Sequence, residues 1–436
     1  MRIEDTDQER SKTEFEKDII ENLHWLGLDW DEGPDKGGEY GPYRQTERTD
    51  IYKEYLKKLL EEKKAYYCFC SKEELEAKRQ EQMSRGEAPK YNGKCCGLSE
   101  KEVAEMLERN QAAVIRFRSP IKKVVFEDVI RGKVEFDSAL TGDFTIAKSL
   151  NEPLYNFAVV VDDYAMKISH VIRGEDHISN TPRQVLLQEA LGFPKVKYAH
   201  LPLILSEDKS KLSKRNDTVS VADYKTEGYL PEALINFIAF LGWNPGDERE
   251  IYSLNSLAKE FSLEKVQKAG AVFNMKRLDY INGFYIRQKS AQKLAELCQP
   301  YLPQAEPAYV EKVVALYQER LKKLSEIKEL SDFFFQDELV YDKKILKWKD
   351  MTEKEALASL DKLEKLLLGI EKFDKENLEK VLMPEAGIMG DRGKLLWPLR
   401  VALTGKEASA GPFEVAEVLG KEKTLKRIKE AKKLLK

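Results

Sequence analysis

The sequence lacks the long apolar segments of a membrane protein. None of its 436 residues lies in an apolar run near the roughly 18 residues that a membrane span requires. The N-terminus, Met1–Asp5, has neither the apolar region of a secretory signal nor the character of a transit peptide. We therefore expect a cytoplasmic protein that makes no contact with a membrane.

Cysteine is scarce, with five residues in the chain. Cys68 and Cys70 flank one phenylalanine, and Cys95 and Cys96 are adjacent, a spacing typical of metal ligands and not of a secreted disulfide framework. Two cysteines cannot complete a tetrahedral zinc site, so Cys95 or Cys96 and one more donor would have to join them. Histidine is absent from this segment, and Tyr91 is the nearest oxygen donor. Reduced cysteines without a metal are the alternative.

The chain also lacks internal repeats, low-complexity linkers and a strong net charge. A net charge of −3 gives no indication of nucleic-acid binding, and 42% hydrophobic with 34% charged residues is typical of a soluble globular protein. Its length suits about three compact units. Positive charge is concentrated in Lys421–Lys433, a predicted helix whose Leu425, Ile428 and Leu435 would face a core. Such a helix either contacts a phosphate backbone or is merely solvated.

The first helices are predicted from apolar residues at helical spacing. Residues 1–7 are predicted to form a short strand that ends in an acidic turn. Ser11 and Glu14 form a capping-box signature for a helix that ends at Gly27. A second amphipathic helix is predicted over Asp50–Lys64.

An inserted α+β unit is predicted over residues 66–150. A helical segment comes first, at Lys72–Arg85, and β-type runs punctuated by glycine follow it. These runs are Val114–Phe117, Val124–Phe126, Lys133–Phe136 and Phe144–Ile146.

The main sheet is predicted to resume after this insertion. The apolar runs Tyr155–Asp163 and Ile168–Arg173 are predicted strands, and Thr181 is predicted to cap the helix that follows. Ligands of open α/β sheets bind at the ends of strands, so the guanidinium of Arg173 is well placed to bind a carboxylate through two hydrogen bonds. An ordinary surface ion pair is the alternative.

A lysine-rich loop follows the next predicted strand, Leu201–Leu205. The loop contains Lys211-Leu212-Ser213-Lys214-Arg215. Two ammonium groups and a hydroxyl on one loop can stabilise the charge that develops on phosphoryl oxygens. A solvated basic turn is the alternative. An apolar helix, Leu230–Trp243, comes after it, and the pattern is almost wholly helical from there to Lys436.

Taken in this order, the segments resemble a class I aminoacyl-tRNA synthetase, specifically a bacterial-type glutamyl-tRNA synthetase. The segment Lys211–Arg215 is similar to the KMSKS loop of that class, and Val171–His177 to a glutamate-site strand. Further matches lie at Arg2–Asp7, Gly41–Arg48, Tyr155–Asp163, Leu230–Asn236, Leu241–Trp243, Phe273, Leu278, Tyr285–Ile286 and Pro398–Gly405.

The resemblance implies a fold of class α/β plus all-α. A Rossmann-like catalytic domain would comprise residues 1–65 and 151–225, and an inserted acceptor-binding domain residues 66–150. Residues 226–290 would contact the tRNA stem, and the helical residues 291–436 would bind the anticodon. The family's first strand and its His-Ile-Gly-His-type signature would precede Arg2. We therefore expect residues 1–436 alone to hold only part of the phosphate site.

The resemblance also assigns roles to individual residues. L-Glutamate would contact Glu4, Tyr155 and Arg173. ATP, with Mg²⁺, would contact Glu175, Asp176, His177, Lys211, Ser213 and Lys214, with Lys211 and Lys214 acting in catalysis. Zinc-bearing members of the family can have a histidine ligand at the position of Gly97, which Tyr91 or Cys96 would have to replace here. The expected ligands of Zn²⁺ are Cys68, Cys70, Cys95 and Tyr91.

The function implied is that of a monomeric glutamate–tRNA ligase. Such an enzyme activates L-glutamate to glutamyl-adenylate and transfers it to the 3′ end of tRNA(Glu). A non-catalytic tRNA-binding paralogue, or a truncated form that has lost activation, is the alternative. Enzymes that glutamylate a modified tRNA base generally lack a helical anticodon-binding end. Glutaminyl-tRNA synthetases have a β-barrel there, whereas residues 291–436 show little β pattern.

Overall fold

The computed structural model describes residues 1–7, 11–212 and 220–436. The chain forms two compact units. The first comprises Met1–Val219 and Ile235–Asn274, and the second comprises Ser220–Leu234 and Met275–Lys436. Among the helices in the described ranges, none is both long and apolar enough to cross a membrane.

The described chain contains both helices and strands, numbered in chain order. The helices are α1 (Thr13–Trp25), α2 (Thr49–Glu61), α3 (Lys72–Ser84), α4 (Glu100–Glu108), α5 (Tyr155–Ala165), α6 (Thr181–Leu191), α7 (Val221–Glu227), α8 (Pro231–Ala239), α9 (Leu254–Glu260), α10 (Met275–Arg287), α11 (Ala291–Cys298), α12 (Pro307–Ala315), α13 (Ile327–Ser331), α14 (Glu353–Leu368), α15 (Lys375–Ile388), α16 (Gly393–Thr404) and α17 (Pro412–Leu434). The strands are β1 (Ala65–Cys68), β2 (Val114–Phe117), β3 (Lys123–Asp128), β4 (Gly132–Asp137), β5 (Phe144–Ser149), β6 (Glu152–Pro153), β7 (His170–Gly174), β8 (Lys197–Leu201), β9 (Ile204–Leu205) and β10 (Ala271–Val272).

The main sheet has the strand order β4-β3-β8-β7. β8 runs parallel to β7 from the pair His170↔Lys197 to the pair Gly174↔Leu201, and it pairs in parallel with β3 at Asp128↔Tyr198. The carboxyl ends of the three parallel strands therefore lie at one edge of the sheet, which is where open α/β sheets bind ligands.

A second sheet, with the order β1-β2-β5-β6, is antiparallel throughout. The four predicted β-type runs are confirmed as β2, β3, β4 and β5. They divide between the two sheets, because β3 and β4 join the main sheet. The predicted domain boundaries at 66 and 150 stay a prediction.

The core of the first unit lies between the sheets and the helices α2, α5 and α6. Its side chains are removed from water almost completely, and each large apolar group buried in this way stabilises the fold by about 1.5–3 kcal/mol. The fully buried members include Leu56, Ile115, Ile146, Phe157, Val161 and Leu187.

The prediction of a strand at Tyr155–Asp163 is wrong, because this segment forms helix α5. Residues Phe157–Asp163 are all buried, so neither a helical nor an alternating pattern of polarity is visible in the sequence. A short apolar run of this kind fits a buried strand or a buried helix equally well. Packing against the core overrides the β-propensity of the three consecutive valines.

The predicted helix at the N-terminus exists, but its capping box does not. Lys12 is the N-cap of α1, without a side-chain hydrogen bond, so Ser11 lies one position too early to cap the helix. Phe15 and Ile19, which the periodicity assigns to a core, are 56% and 53% exposed. Thr181 is likewise the first residue of α6 and not its cap, which is Asn180.

Two predicted elements are shorter in the structure. The strand predicted over Leu201–Leu205 is divided into β8 and β9 at Pro202, which cannot donate a backbone hydrogen bond to a neighbouring strand. β9 then pairs in parallel with β10. Helix α8 ends at Ala239 and does not reach Trp243.

From Met275 to Lys436, within the described range 220–436, the regular elements are helices, as the pattern predicts. Arg427 of α17 is 1% exposed and donates hydrogen bonds to the carbonyls of Phe333 (2.6 Å), Gln336 (2.8 Å) and Leu403. These bonds fix the terminal helix to the rest of its unit. Ile428 and Leu435 are buried as predicted.

Candidate active site

A cleft of about 600 Å³ lies beside β7 in the first unit. The N-terminal segment and α5 form its other walls. The structure brings four of the residues singled out by sequence, Glu4, Tyr155, Arg173 and His177, into this one cleft. Other lining residues include Arg2, Tyr40, Tyr43, Asp163, His170 and Ile172.

The wall formed by α5 is held by one buried carboxylate, Asp162, which has no exposed surface. Its oxygens accept hydrogen bonds from Arg48 Nε (2.6 Å), from Gln45 Nε2 (2.9 Å) and from the Tyr52 hydroxyl (2.9 Å). Arg48 is itself buried and also donates to the carbonyl of Pro42 at 2.9 Å. Because a buried carboxylate needs an opposite charge and several donors, this set fixes α5 to residues 42–52.

The N-terminal segment is attached to the same helix by an ion pair. Arg2 Nη1 donates to Asp163 Oδ1 at 2.9 Å, and Arg2 Nη2 donates to Glu4 Oε1 at 2.8 Å. Burial opposes the charge on Arg2, but Asp163 and Glu4 outweigh burial and raise its pKa. Arg2 therefore links the cleft-lining Glu4 to α5.

Backbone pairing fixes the rest of this segment. The predicted strand over residues 1–7 is reduced to one parallel bridge, Ile3↔Arg44. The Asp5 carboxylate accepts hydrogen bonds from the Thr46 amide (2.9 Å) and hydroxyl (2.7 Å). Part of the acidic motif therefore holds the backbone in place, and Glu4 is the carboxylate that lines the cleft.

Arg173, near the carboxyl end of β7, is held from behind. Its Nη2 donates to Thr181 Oγ1 and to Gln184 Oε1, both at 2.8 Å, and its Nε lies 3.3 Å from His200 Nε2. The Tyr155 hydroxyl lies on the cleft side, 3.4 Å from His177 Nδ1. Burial, and then the Glu4 carboxylate, raise the pKa of Tyr155, so its hydroxyl remains a donor. The cleft thus offers a fixed guanidinium, a hydroxyl and a carboxylate.

The residues predicted to lie near ATP follow β7 directly, in the short turn Glu175–His177. Glu175 forms an ion pair with Arg131 at 2.6 Å and accepts a hydrogen bond from the Leu203 amide at 3.0 Å. Asp176 forms an ion pair with Lys211 at 3.2 Å, and the hydrogen bond from Lys211 lowers the pKa of Asp176.

The lysine loop begins where β9 ends. Lys211 forms an antiparallel bridge with Leu205, and its side chain is largely exposed. The structure therefore places the first lysine of the loop against the turn after β7. Ser213 and Lys214, the other predicted phosphate-binding residues of the loop, lie outside the described residues.

The predicted metal ligands also come together. The sulfur atoms of Cys68, Cys70 and Cys95 all lie within 4.8 Å of one another, and Cys70 and Cys95 are 3.6 Å apart. The Tyr91 hydroxyl lies 3.4 Å from Cys68 Sγ and 3.5 Å from Cys70 Sγ. A tetrahedral zinc ion with Zn–S bonds of about 2.3 Å requires S···S and S···O separations of roughly 3.8 and 3.5 Å. The four side chains fit such an ion.

The groups behind the cleft were not recognised from the sequence. Asp162 and Gln45 lie in segments quoted only for their resemblance to the family or their secondary structure, Tyr52 lies in a predicted helix, and His200 precedes a predicted strand, so none of the four has a predicted role. One signal was available for Asp162, because a carboxylate at the end of an otherwise apolar run must have a buried partner.

Comparisons with known proteins identify the family of this chain. A family model described as the catalytic domain of class I tRNA synthetases (E and Q) matches residues 1–280, and an anticodon-binding domain model matches residues 293–432. The chain belongs to this synthetase family. The resemblance drawn from the motifs is therefore confirmed, and so is the fold class of an α/β catalytic part followed by a helical part.

Individual members of the family are similar over nearly the whole chain. Glutamate--tRNA ligase 1 of Caldicellulosiruptor saccharolyticus is 45% identical, over 98% of this chain and 90% of that protein. The glutamate--tRNA ligase of Carboxydothermus hydrogenoformans is 43% identical, over 98% of this chain and 91% of its own length. A crystal structure of a glutamate tRNA ligase from Elizabethkingia meningosepticum, in complex with its amino acid, has a TM-score of 0.90 at 35% identity, covering 100% and 92% of the two chains.

The buried carboxylate of this synthetase can be tested directly. We expect Asp162→Asn to lower the free energy of unfolding by about 3–5 kcal/mol, because Arg48 is left as a buried charge without its partner. Urea denaturation followed by circular dichroism measures the change.

Glu81→Gln is the control, because Glu81 forms an exposed ion pair with Lys78 on α3. An exposed pair of this kind contributes about 0.2–1 kcal/mol. Equal effects of the two substitutions would contradict the role given to Asp162.

Proposed function

We propose that this protein is a glutamate–tRNA ligase. It activates L-glutamate with ATP to form glutamyl-adenylate, and it then transfers the glutamyl group to the 3′ end of tRNA(Glu). In the first step a carboxylate oxygen of glutamate attacks the α-phosphorus of ATP, the bond to the bridging oxygen breaks, and pyrophosphate leaves. In the second, a hydroxyl of the terminal ribose attacks the glutamyl carbonyl carbon and AMP leaves.

The observation that carries this proposal is the placement of Arg173 in a cleft with Glu4 and Tyr155. A guanidinium is always charged, and Nη1 of Arg173 is left to donate a charge-assisted hydrogen bond to a carboxylate in the cleft, since Nε and Nη2 bind His200, Thr181 and Gln184. Arg173 therefore binds a carboxylate of glutamate, Tyr155 donates a further hydrogen bond, and the Glu4 carboxylate suits the ammonium group. Together the three residues match the charges of a free acidic amino acid.

The phosphate side of the reaction falls to the turn after β7 and the lysine loop. Enzymes of this class use ATP with Mg²⁺, and the nucleotide enters as that complex. Lys211 and Lys214 neutralise negative charge on the phosphates of ATP. Ser213 donates a hydrogen bond to a phosphate oxygen through its hydroxyl. Asp176, whose carboxylate pairs with Lys211 at 3.2 Å, holds this lysine beside Glu175 and His177 until the nucleotide binds.

The nucleic-acid substrate is assigned to the rest of the chain. Residues 293–432 match an anticodon-binding domain, and such domains read single-stranded bases splayed against side chains. We infer that residues 66–150 contact the acceptor end and residues 226–290 the stem. We also infer a monomer that works in the cytoplasm.

The role of Arg173 is testable by ATP–pyrophosphate exchange with glutamate and tRNA. We expect Arg173→Lys to raise KM for glutamate about 10- to 100-fold, because the lysine ammonium is not held in the position of the guanidinium and a hydrogen bond to a charged group contributes about 1.5–3 kcal/mol. KM for ATP should change little, since Arg173 contacts no phosphate in this assignment.

Arg79→Lys, on the exposed face of α3, is the matched control and should behave as the parent protein. An unchanged KM for glutamate in Arg173→Lys would overturn the assignment of the amino-acid site. Absence of exchange by the parent chain, with tRNA binding retained, would favour the non-catalytic paralogue.

We also propose that Cys68, Cys70, Cys95 and Tyr91 hold a structural zinc ion. Three thiolates and a phenolate would leave the site negatively charged, and the Arg116 guanidinium lies 4.1 Å from the centre of the Tyr91 ring. Arg116 thus balances part of that charge. In the absence of metal, burial raises the pKa of the Cys70 thiol to about 11, so zinc has to displace a proton there. The ion would tie β1 to the segment that contains Tyr91 and Cys95.

Metal analysis of the purified protein checks this proposal. We expect about one zinc per chain, and a loss of affinity of at least about 10-fold in Cys70→Ser, because a serine hydroxyl is a poor zinc ligand at neutral pH. Cys96→Ser is the control, since Cys96 lies outside the group of converging sulfur atoms. Equal zinc content and affinity in the two variants would contradict the ligand set.

A further inference from the structure

We propose that a buried pair, His200 and Asp128, positions Arg173 for carboxylate binding. The inference rests on the proposed role of Arg173 in binding glutamate and adds residues that act through it. Neither His200 nor Asp128 lines the cleft, so neither contacts the amino acid. Both side chains are fully buried.

Asp128, at the carboxyl end of β3, is an ionised acceptor. Its Oδ1 accepts hydrogen bonds from the amides of Ile130 (3.0 Å) and Arg131 (2.8 Å), and its Oδ2 accepts from the His200 amide (3.1 Å). Burial opposes the charge, but these hydrogen bonds outweigh burial and lower the pKa of Asp128. The remaining partner of Oδ2 is His200 Nδ1, at 2.6 Å.

This carboxylate determines the tautomer of His200. Because an ionised carboxylate can only accept, Nδ1 of His200 carries the proton and Nε2 keeps its lone pair. Burial lowers the pKa of His200. The hydrogen bond and charge of Asp128 raise this pKa, and the positive charges of Arg173 and Arg131 lower it further, so that the net shift is downward. His200 is therefore neutral, with an acceptor at Nε2.

The acceptor faces Arg173. His200 Nε2 lies 3.3 Å from Arg173 Nε and 3.0 Å from Thr181 Oγ1. Thr181 and Gln184 take the two hydrogens of Arg173 Nη2, and Asn156 accepts a hydrogen bond from the Gln184 amide at 3.0 Å. The guanidinium thus has three acceptors behind it, and only Nη1 is turned toward other partners.

The opposite tautomer would undo this arrangement. A proton on Nε2 of His200 would set one N–H donor against another at Arg173 and remove an acceptor from the guanidinium. The guanidinium of Arg173 would then lose its fixed orientation, although its charge would remain. Since catalytic and binding groups tolerate little misplacement, the orientation of Arg173 depends on a carboxylate carried by a different strand.

Asp128→Asn separates positioning from packing, because it keeps the size of the side chain. The amide oxygen can still accept from Ile130 and Arg131, and from the His200 amide, which lies 3.3 Å from Oδ1, but the NH₂ group then faces His200 Nδ1 and forces the proton to Nε2. We expect the Kd for L-glutamate, measured by calorimetry, to rise about 10- to 100-fold. His200→Leu should have the same effect, whereas His200→Gln, whose side-chain oxygen can replace Nε2 as acceptor, should stay within about threefold of the parent.

A spectroscopic measurement tests the same proposal without substrate. The chain has four histidines, so ¹⁵N-histidine spectra are simple, and the signals that disappear in His200→Gln belong to His200. We expect the Nδ1–H tautomer in the parent and the Nε2–H tautomer in Asp128→Asn. A parent His200 that is protonated, or that carries its proton on Nε2, would overturn the proposal.

The outcomes distinguish this inference from the function on which it rests. If Arg173→Lys weakens glutamate binding but Asp128→Asn does not, the positioning pair is refuted and the amino-acid site stands. If Arg173→Lys has no effect, the assignment of Arg173 itself fails. A lower melting temperature in Asp128→Asn with unchanged glutamate affinity would mark the pair as structural only and overturn the proposal.

Discussion

The buried carboxylate of Asp162 is the constraint on which the candidate active site depends. Because the oxygens of this carboxylate have no contact with water, they have to be surrounded by donors, and Arg48, Gln45 and Tyr52 supply them. These donors come from one continuous stretch of chain, so satisfying a single charge fixes that stretch against α5. The same stretch forms the bridge with Ile3 and thereby locates the N-terminal segment.

The cleft is built from charges whose partners lie behind its surface. Asp163 holds Arg2, Arg2 holds Glu4, and the acceptors on α6 and β8 hold Arg173. Arg2, Glu4 and Arg173 have therefore lost part of their conformational freedom before a ligand arrives. Binding then costs little side-chain entropy, which is the physical meaning of a preorganised site. A substrate of the wrong charge would be repelled, because these charged groups are held in place and cannot reorient.

Local signals in the sequence were sufficient for many elements and for the groups at strand ends. The runs that became β2 to β5 alternate or are bounded by glycine, and Arg173 lies at the end of a recognisable strand. The apolar run at Tyr155–Asp163 has no such local signal, because full burial removes the contrast between faces that distinguishes a helix from a strand. The pairing of Asp128 with His200 joins residues 72 positions apart, and only strand order brings them together. Sequence motifs therefore identified groups that line the cleft and missed those that support them.

The place of β3 in the main sheet affects chimeras in which one synthetase receives a segment of another. The segment between residues 66 and 150 looks in the sequence like a cassette inserted between two halves of a catalytic domain. Its strand β3 nevertheless pairs with β8 and carries Asp128 to a position behind Arg173, which lines the cleft. A chimera that exchanged this segment for that of a relative would also exchange part of the wall behind Arg173. Such a transplant would then alter the cleft as well as the segment itself.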